Sequence, residues 1–199
     1  MPSDPLVLAF DTSAAHCAAA LLSGDRVLAQ RHEEMGRGQA ERLMPLLEEV
    51  LQEGGTTWSG LSAIGVAIGP GNFTGIRISV SAARGLSMGL GIPAVGVSLF
   101  ETTASLGKSA RTAVPAPRDH VYYWDADTMA APVLTALADA TPVSLSTDHA
   151  ILDHVICIAR IAAVRLASGE TPPPPAPLYV KPADAAPARD LPPVILDNA

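Results

Sequence analysis

Short apolar blocks separated by turn residues open the chain. Leu6 to Phe10 is an unbroken apolar run that stops at Asp11-Thr12-Ser13, which predicts a strand ending in an acidic turn. Cys17 to Leu22 is a second run, and Ser23-Gly24-Asp25 turns it into a third segment, Arg26 to His32, so a hairpin meander follows the acidic turn directly. The period then changes. From Gln39 to Glu53 the apolar residues Leu43, Leu46, Leu47, Val50 and Leu51 fall on one helical face, with Pro45 as a possible kink or a late start near Met44. Ile64 to Ile68, between glycines, reads as a buried strand, and Ile92 to Val97 as another.

Between those two strands lies the most informative stretch. Gly69-Pro70-Gly71-Asn72 breaks the chain, Thr74 is a candidate N-cap, and a helix runs from Gly75 to about Met88. Gly75, Ser79, Ala83 and Ser87 recur every four residues on it, and Ser81, Gly85 and Gly89 form a second small row. Small rows let another backbone approach closely. They serve either the chain's own sheet or a docking face for another subunit, and Arg77 and Arg84 argue against a membrane span. A phosphate cradle at GPGN is a weaker reading, since no Lys-Ser/Thr follows the loop.

The second half is less legible. Ser98 to Leu106 predicts a helix, Ala110 to Val114 and His120 to Trp124 predict strands joined at Pro117-Arg118-Asp119, and Ile151 to Ala167 is a clear helix. Thr128 to Asp148 carries no assignable pattern. Thr171 to Pro177 is a polyproline run, Leu178-Tyr179-Val180 a strand-like segment tucked against the body, and the remainder a loose polar tail. The order β-β-β-α-β-α-β makes one α/β lobe over residues 1–104, with a smaller lobe and proline-rich tail over 105–199.

Composition narrows the function classes. A net charge of −7 does not suit unaided nucleic-acid binding. Two cysteines, Cys17 and Cys157, make no disulfide framework and read as core thiols, and no secretory leader or membrane span is evident. A soluble, cytoplasmic protein is expected. His16, His32, His120, His149 and His154 are spread so that none pairs at metal-binding spacing, and each reads as a surface or turn histidine.

LAFDTS at Leu8 to Ser13, AERLMPLLEEVL at Ala40 to Leu51 and the long match from Ile64 to Ser98 together closely resemble the bacterial TsaB (YeaZ) family. Weaker echoes follow at Arg118 to Tyr122 and Pro177 to Pro182. The resemblance implies an actin-like, ribonuclease-H-like (ASKHA) fold with a degenerate, shortened second lobe. It also implies a subunit of the machinery that forms N6-threonylcarbamoyladenosine at tRNA position 37. In that machinery TsaD is the catalytic, metal-dependent paralogue and TsaE an ATPase partner. TsaB-like proteins pair with TsaD or with themselves through first-lobe helices, and meet tRNA only through the complex.

Where the catalytic paralogue carries two metal-binding histidines, this sequence has Leu99 and Thr103, so the resemblance points to a non-catalytic scaffold with no metal. Asp11, Thr12 and Ser13 stand where actin-like ATPases keep their first phosphate loop. The second lobe lacks nucleotide-gripping glycines, so Asp11 reads as a relic that caps its turn. No cofactor is expected, beyond a shared ATP or ADP contact at a subunit boundary. Candidate partner or dimer residues are Leu43, Leu47, Leu51, Gly75, Ile76, Arg77, Ser79, Val80 and Ala83, and a large charge at Ser79 or Ala83 is expected to abolish the complex while sparing the monomer. Gln39 replaces a histidine common among relatives. The rival readings are a small actin-fold ATPase acting alone through the Asp11 loop and, weaker still, a protease.

Overall fold

The computed structural model describes residues 4–140, 143–169 and 171–180. A five-stranded sheet is its centre. Strands β1 (Leu6–Asp11), β2 (His16–Ser23) and β3 (Arg26–Glu34) form the antiparallel meander, and β4 (Ala63–Ala67) and β5 (Ala94–Val97) add in parallel, giving the order β3-β2-β1-β4-β5. That order is the ribonuclease-H-like arrangement of an actin-type lobe.

Strands β1, β2 and β4 are buried on both faces, which is why they read as continuous apolar runs and not as alternating ones. Period two still sorts their side chains. Leu8 and Phe10 point to the face covered by α1 (Gln39–Glu53) and α2 (Phe73–Leu90). Val7 and Ala9 point to the face covered by α4 (Ile151–Ala167), against Val155, Ile158, Ala159 and Ala162.

The one-face leucine set of α1 is its buried stripe. Pro45 lies inside the helix without ending it: it sits on the exposed face, where the carbonyl it leaves unpaired can meet water. The N-cap of α2 is Asn72, not Thr74. Its Oδ1 accepts from the Gly75 N–H at 2.9 Å, so the helix begins two residues earlier than the threonine suggested.

Helix α3 (Leu99–Gly107) starts at a capping box between Ser98 and Glu101. A second sheet follows, built from β6 (Arg111–Ala116), β7 (His120–Asp125), β8 (Val133–Ala136) and β9 (Ser144–Leu145) in the order β8-β7-β6-β9. The stretch Thr128 to Asp148, unassigned from sequence, thus supplies two strands and two 3₁₀ turns.

Helix α4, which the division at residues 104/105 puts in the second lobe, packs on β2, β4 and β1 of the first sheet. Residues 171–180 also return to the first sheet as an extended strap. Leu178 N donates to Ile68 O at 2.8 Å, Tyr179 stacks on Phe73 with ring centres 5.0 Å apart, and Arg77 Nε donates to the Tyr179 hydroxyl at 2.9 Å. The expected polar tail after Val180 lies outside the described residues. Among those described, no helix is long and apolar enough to cross a membrane.

Candidate functional site

The acidic turn after β1 is buried and held from several sides. Asp11 Oδ1 accepts from Ser13 N at 2.6 Å, so the carboxylate does cap its own turn. Its Oδ2 lies 3.1 Å from His16 Nε2. Burial alone would raise the Asp11 pKa, but the hydrogen bond and charge of His16 and the N–H and hydroxyl of Ser13 outweigh it and hold the carboxyl below the usual range. Thr12 Oγ1 donates to Gly75 O at 2.7 Å, and Asn72 N donates to Ser13 O at 2.6 Å. A Cβ at Gly75 would lie 1.9 Å from Thr12 O, so only glycine lets the first turn of α2 press this close. Gln39 Nε2 donates to Ala14 O at 2.6 Å and to His16 O at 3.2 Å, tying α1 to the same turn. Glutamine here does a hydrogen-bonding job that needs no titration.

Two histidines differ from the surface reading. His16 and His154 are both buried. The register explains His16: Asp11 pairs with Ala18 across the β1–β2 hairpin, which folds His16 back onto the carboxylate. His154, on α4, places Nε2 2.9 Å from Ser146 O and Nδ1 2.7 Å from Thr102 Oγ1. A carbonyl only accepts, so Nε2 donates, and in the neutral ring Nδ1 accepts from the threonine hydroxyl. Burial pushes this imidazole's pKa down, against a smaller upward pull from the Ser146 carbonyl. Helix α4, helix α3 and the 3₁₀ turn Ser146–Asp148 meet at that ring.

The positions that carry metal-binding histidines in the catalytic paralogue do not fit a metal here. Leu99 has no lone pair, and the Thr103 hydroxyl donates to Leu99 O within its own helix. Cys17 and Cys157 are buried and unpaired, and burial raises the Cys17 thiol to about 11, as suits a core thiol.

The nine candidate interface residues separate sharply. Leu43, Leu47, Leu51, Gly75, Ile76, Ser79, Val80 and Ala83 are all buried in the chain's own interior, and only Arg77 is exposed. The row Gly75-Ser79-Ala83 therefore serves close packing of α2 on its own sheet; Ser79 Oγ even donates inward, to Ala67 O at 3.3 Å and Ile76 O at 3.1 Å. The second small row faces out. Ser81, Arg84, Gly85 and Gly89 are exposed, Met88 is 86% exposed, and a Cβ at Gly85 or Gly89 would meet nothing within 4 Å.

The family profile described as "TsaD: tRNA N6-adenosine threonylcarbamoyltransferase" matches residues 26–176. The tRNA threonylcarbamoyladenosine biosynthesis protein TsaB of Escherichia coli K12 is 36% identical over 98 residues, 49% of this chain and 42% of that protein. The chain belongs to the TsaB/YeaZ family. An uncharacterised Mycobacterium bovis protein, Mb3455c, is 30% identical over 200 residues, covering 91% of this chain and 94% of its own length. A Pseudomonas aeruginosa crystal structure, described as an uncharacterised protein with similarity to peptidase YeaZ, superposes with a TM-score of 0.73 at 25% identity, covering 89% of this chain and 100% of that one. The match to the E. coli TsaB spans less than half of that relative's length.

Proposed function

We propose that the chain is a non-catalytic scaffold and activator subunit in the formation of N6-threonylcarbamoyladenosine at tRNA position 37. Its role is to dock a TsaD-like catalytic paralogue through the outer face of α2. The observation that carries this reading is the outward row Ser81, Gly85 and Gly89 beside Met88. An exposed glycine inside a helix costs about 0.5–1 kcal/mol relative to alanine, and nothing among the described residues offsets that at Gly85. A partner backbone pressed against the row would. Met44, 37% exposed on α1, offers a further apolar contact. The TsaB relatives are named for this biosynthesis, and Leu99 and Thr103 replace the ligands a catalyst would need.

In this reading a TsaE-like ATPase joins the assembly, a second copy of the chain occupies the same face when the paralogue is absent, and tRNA is reached only through the complex. The test is gel filtration of the chain with its own organism's TsaD-like protein, followed by threonylcarbamoylation of tRNA. Wild type is expected to co-elute and activate, while Met88→Glu and Gly85→Glu stay folded but elute alone. A chain that modifies tRNA unaided, or variants that co-elute like wild type, would overturn the proposal.

A further inference from the structure

A cavity of about 680 Å³ opens between the acidic turn and the second sheet. Its size lies within the range of small-molecule sites, roughly 300–1,000 Å³. Asp11, Ser13 and His16 line its polar end, and Leu99, Val114 and Ile151 are among its apolar walls. Ser13 is fully buried, and among the described residues its hydroxyl makes no hydrogen bond of full geometry, although it lies close enough to Asp11 to help hold that carboxylate ionised. Leaving such a group unpaired costs about 1–3 kcal/mol, so buried hydroxyls are normally satisfied.

The charge of the lining selects among ligands. Among the described residues it contains the Asp11 carboxylate and neither lysine nor arginine. A polyphosphate would therefore meet a carboxylate with no cationic side chain to neutralise it. Asp11 has limited acceptor capacity left: an ionised carboxylate offers about four lone-pair sites, Ser13 N and His16 take one on each oxygen, and the Ser13 hydroxyl competes for a third. The polar end asks for a hydrogen-bond donor, and the walls ask for an apolar body.

We propose that this cavity binds a small, phosphate-free molecule with an N–H donor head, an amine or an amide, on an apolar body. The head lies against Asp11 and Ser13 Oγ, and the body runs along Leu99, Val114 and Ile151. This site is separate from the outer face of α2 and does not depend on the docking reading.

The test is a ligand-observed NMR titration of the full chain with four probes: phenethylamine, 3-phenylpropanamide, 3-phenylpropanoate and Mg-ADP. The amine, the amide or both are expected to saturate in the millimolar range, with the carboxylate and Mg-ADP at least about tenfold weaker. A preference for the amine identifies an ammonium head, and equal binding identifies a neutral donor. Ala116→Trp and Ala150→Trp, on residues that line the cavity without belonging to the buried core, are each expected to abolish binding while leaving the melting temperature near wild type. Asp11→Asn is expected to weaken the amine about tenfold if it folds, and the two tryptophan variants decide the matter if it does not. Binding of carboxylate or Mg-ADP as tight as the amine, binding that survives both tryptophans, or no saturation by either donor probe would overturn the proposal.

Discussion

Gly85→Ala separates the stability of the chain from its association. Gly85 lies within the 18-residue helix α2, is exposed, and has open space where a Cβ would go. Alanine there removes the backbone-entropy cost of glycine without creating a clash, so the isolated chain should gain about 0.5–1 kcal/mol. For a chain of this size that corresponds to a rise of roughly 1–4 °C in melting temperature. The complex should respond in the opposite sense. If a partner backbone packs against Gly85, an added methyl overfills the contact and costs about 1–3 kcal/mol, roughly a 5–150-fold loss of affinity. Thermal melts of the chain alone and calorimetric titration with the TsaD-like protein read the two effects separately. A more stable chain with unchanged affinity would refute docking at this row, and a chain no more stable would refute the argument from glycine's cost.

Further outcomes follow from the interior. Ser79→Arg and Ala83→Glu put charge into the fully buried face of α2 and are expected to unfold the chain outright, seen as loss of the far-ultraviolet helical signal; a folded monomer would contradict the packing described here. Asp11→Ala strips the partner from Ser13 N and His16 inside the fold and should cost about 3–5 kcal/mol, measurable by urea denaturation. His154 gives a pH signature. Its folded pKa is depressed, so the unfolded chain takes up a proton first as pH falls through about 6.5, and stability declines below that pH until the folded ring also protonates. Urea midpoints between pH 7.5 and 5.5 should fall for wild type and fall less for His154→Gln. Asp11, with a lowered carboxyl, contributes its loss only at more acidic pH, below about 3.9, so the two effects do not overlap.

Much of the first sheet was legible because its signals are local. The apolar runs of β1, β2 and β4 and the one-face leucines of α1 each announce their element without help from distant sequence. The two small rows of α2 were not separable in that way, since both are built of residues that permit close approach. The deciding signal was beside them. Ile76 and Val80 flank the inward row, and Arg77 and Arg84 flank the outward one. The buried histidines were hidden for a different reason. His16 meets Asp11 only through strand register, and His154 meets Thr102 and Ser146 only after two helices and a turn converge. Asn72 displaced Thr74 as cap because its side chain, one residue ahead of the helix, reaches Gly75 N directly.

The placement of α4 bears on how the polypeptide acquires its form during synthesis. Val7, Ala9, Ala18 and Ala20 find their cover in residues 155–162, encoded after the entire second sheet. As translation proceeds N-terminus first, a ribosome must therefore finish most of the message before that greasy surface can be shielded from water. A nascent fragment ending near residue 104 would display it bare, a natural grip for chaperones and a hazard for any shortened version of the gene product.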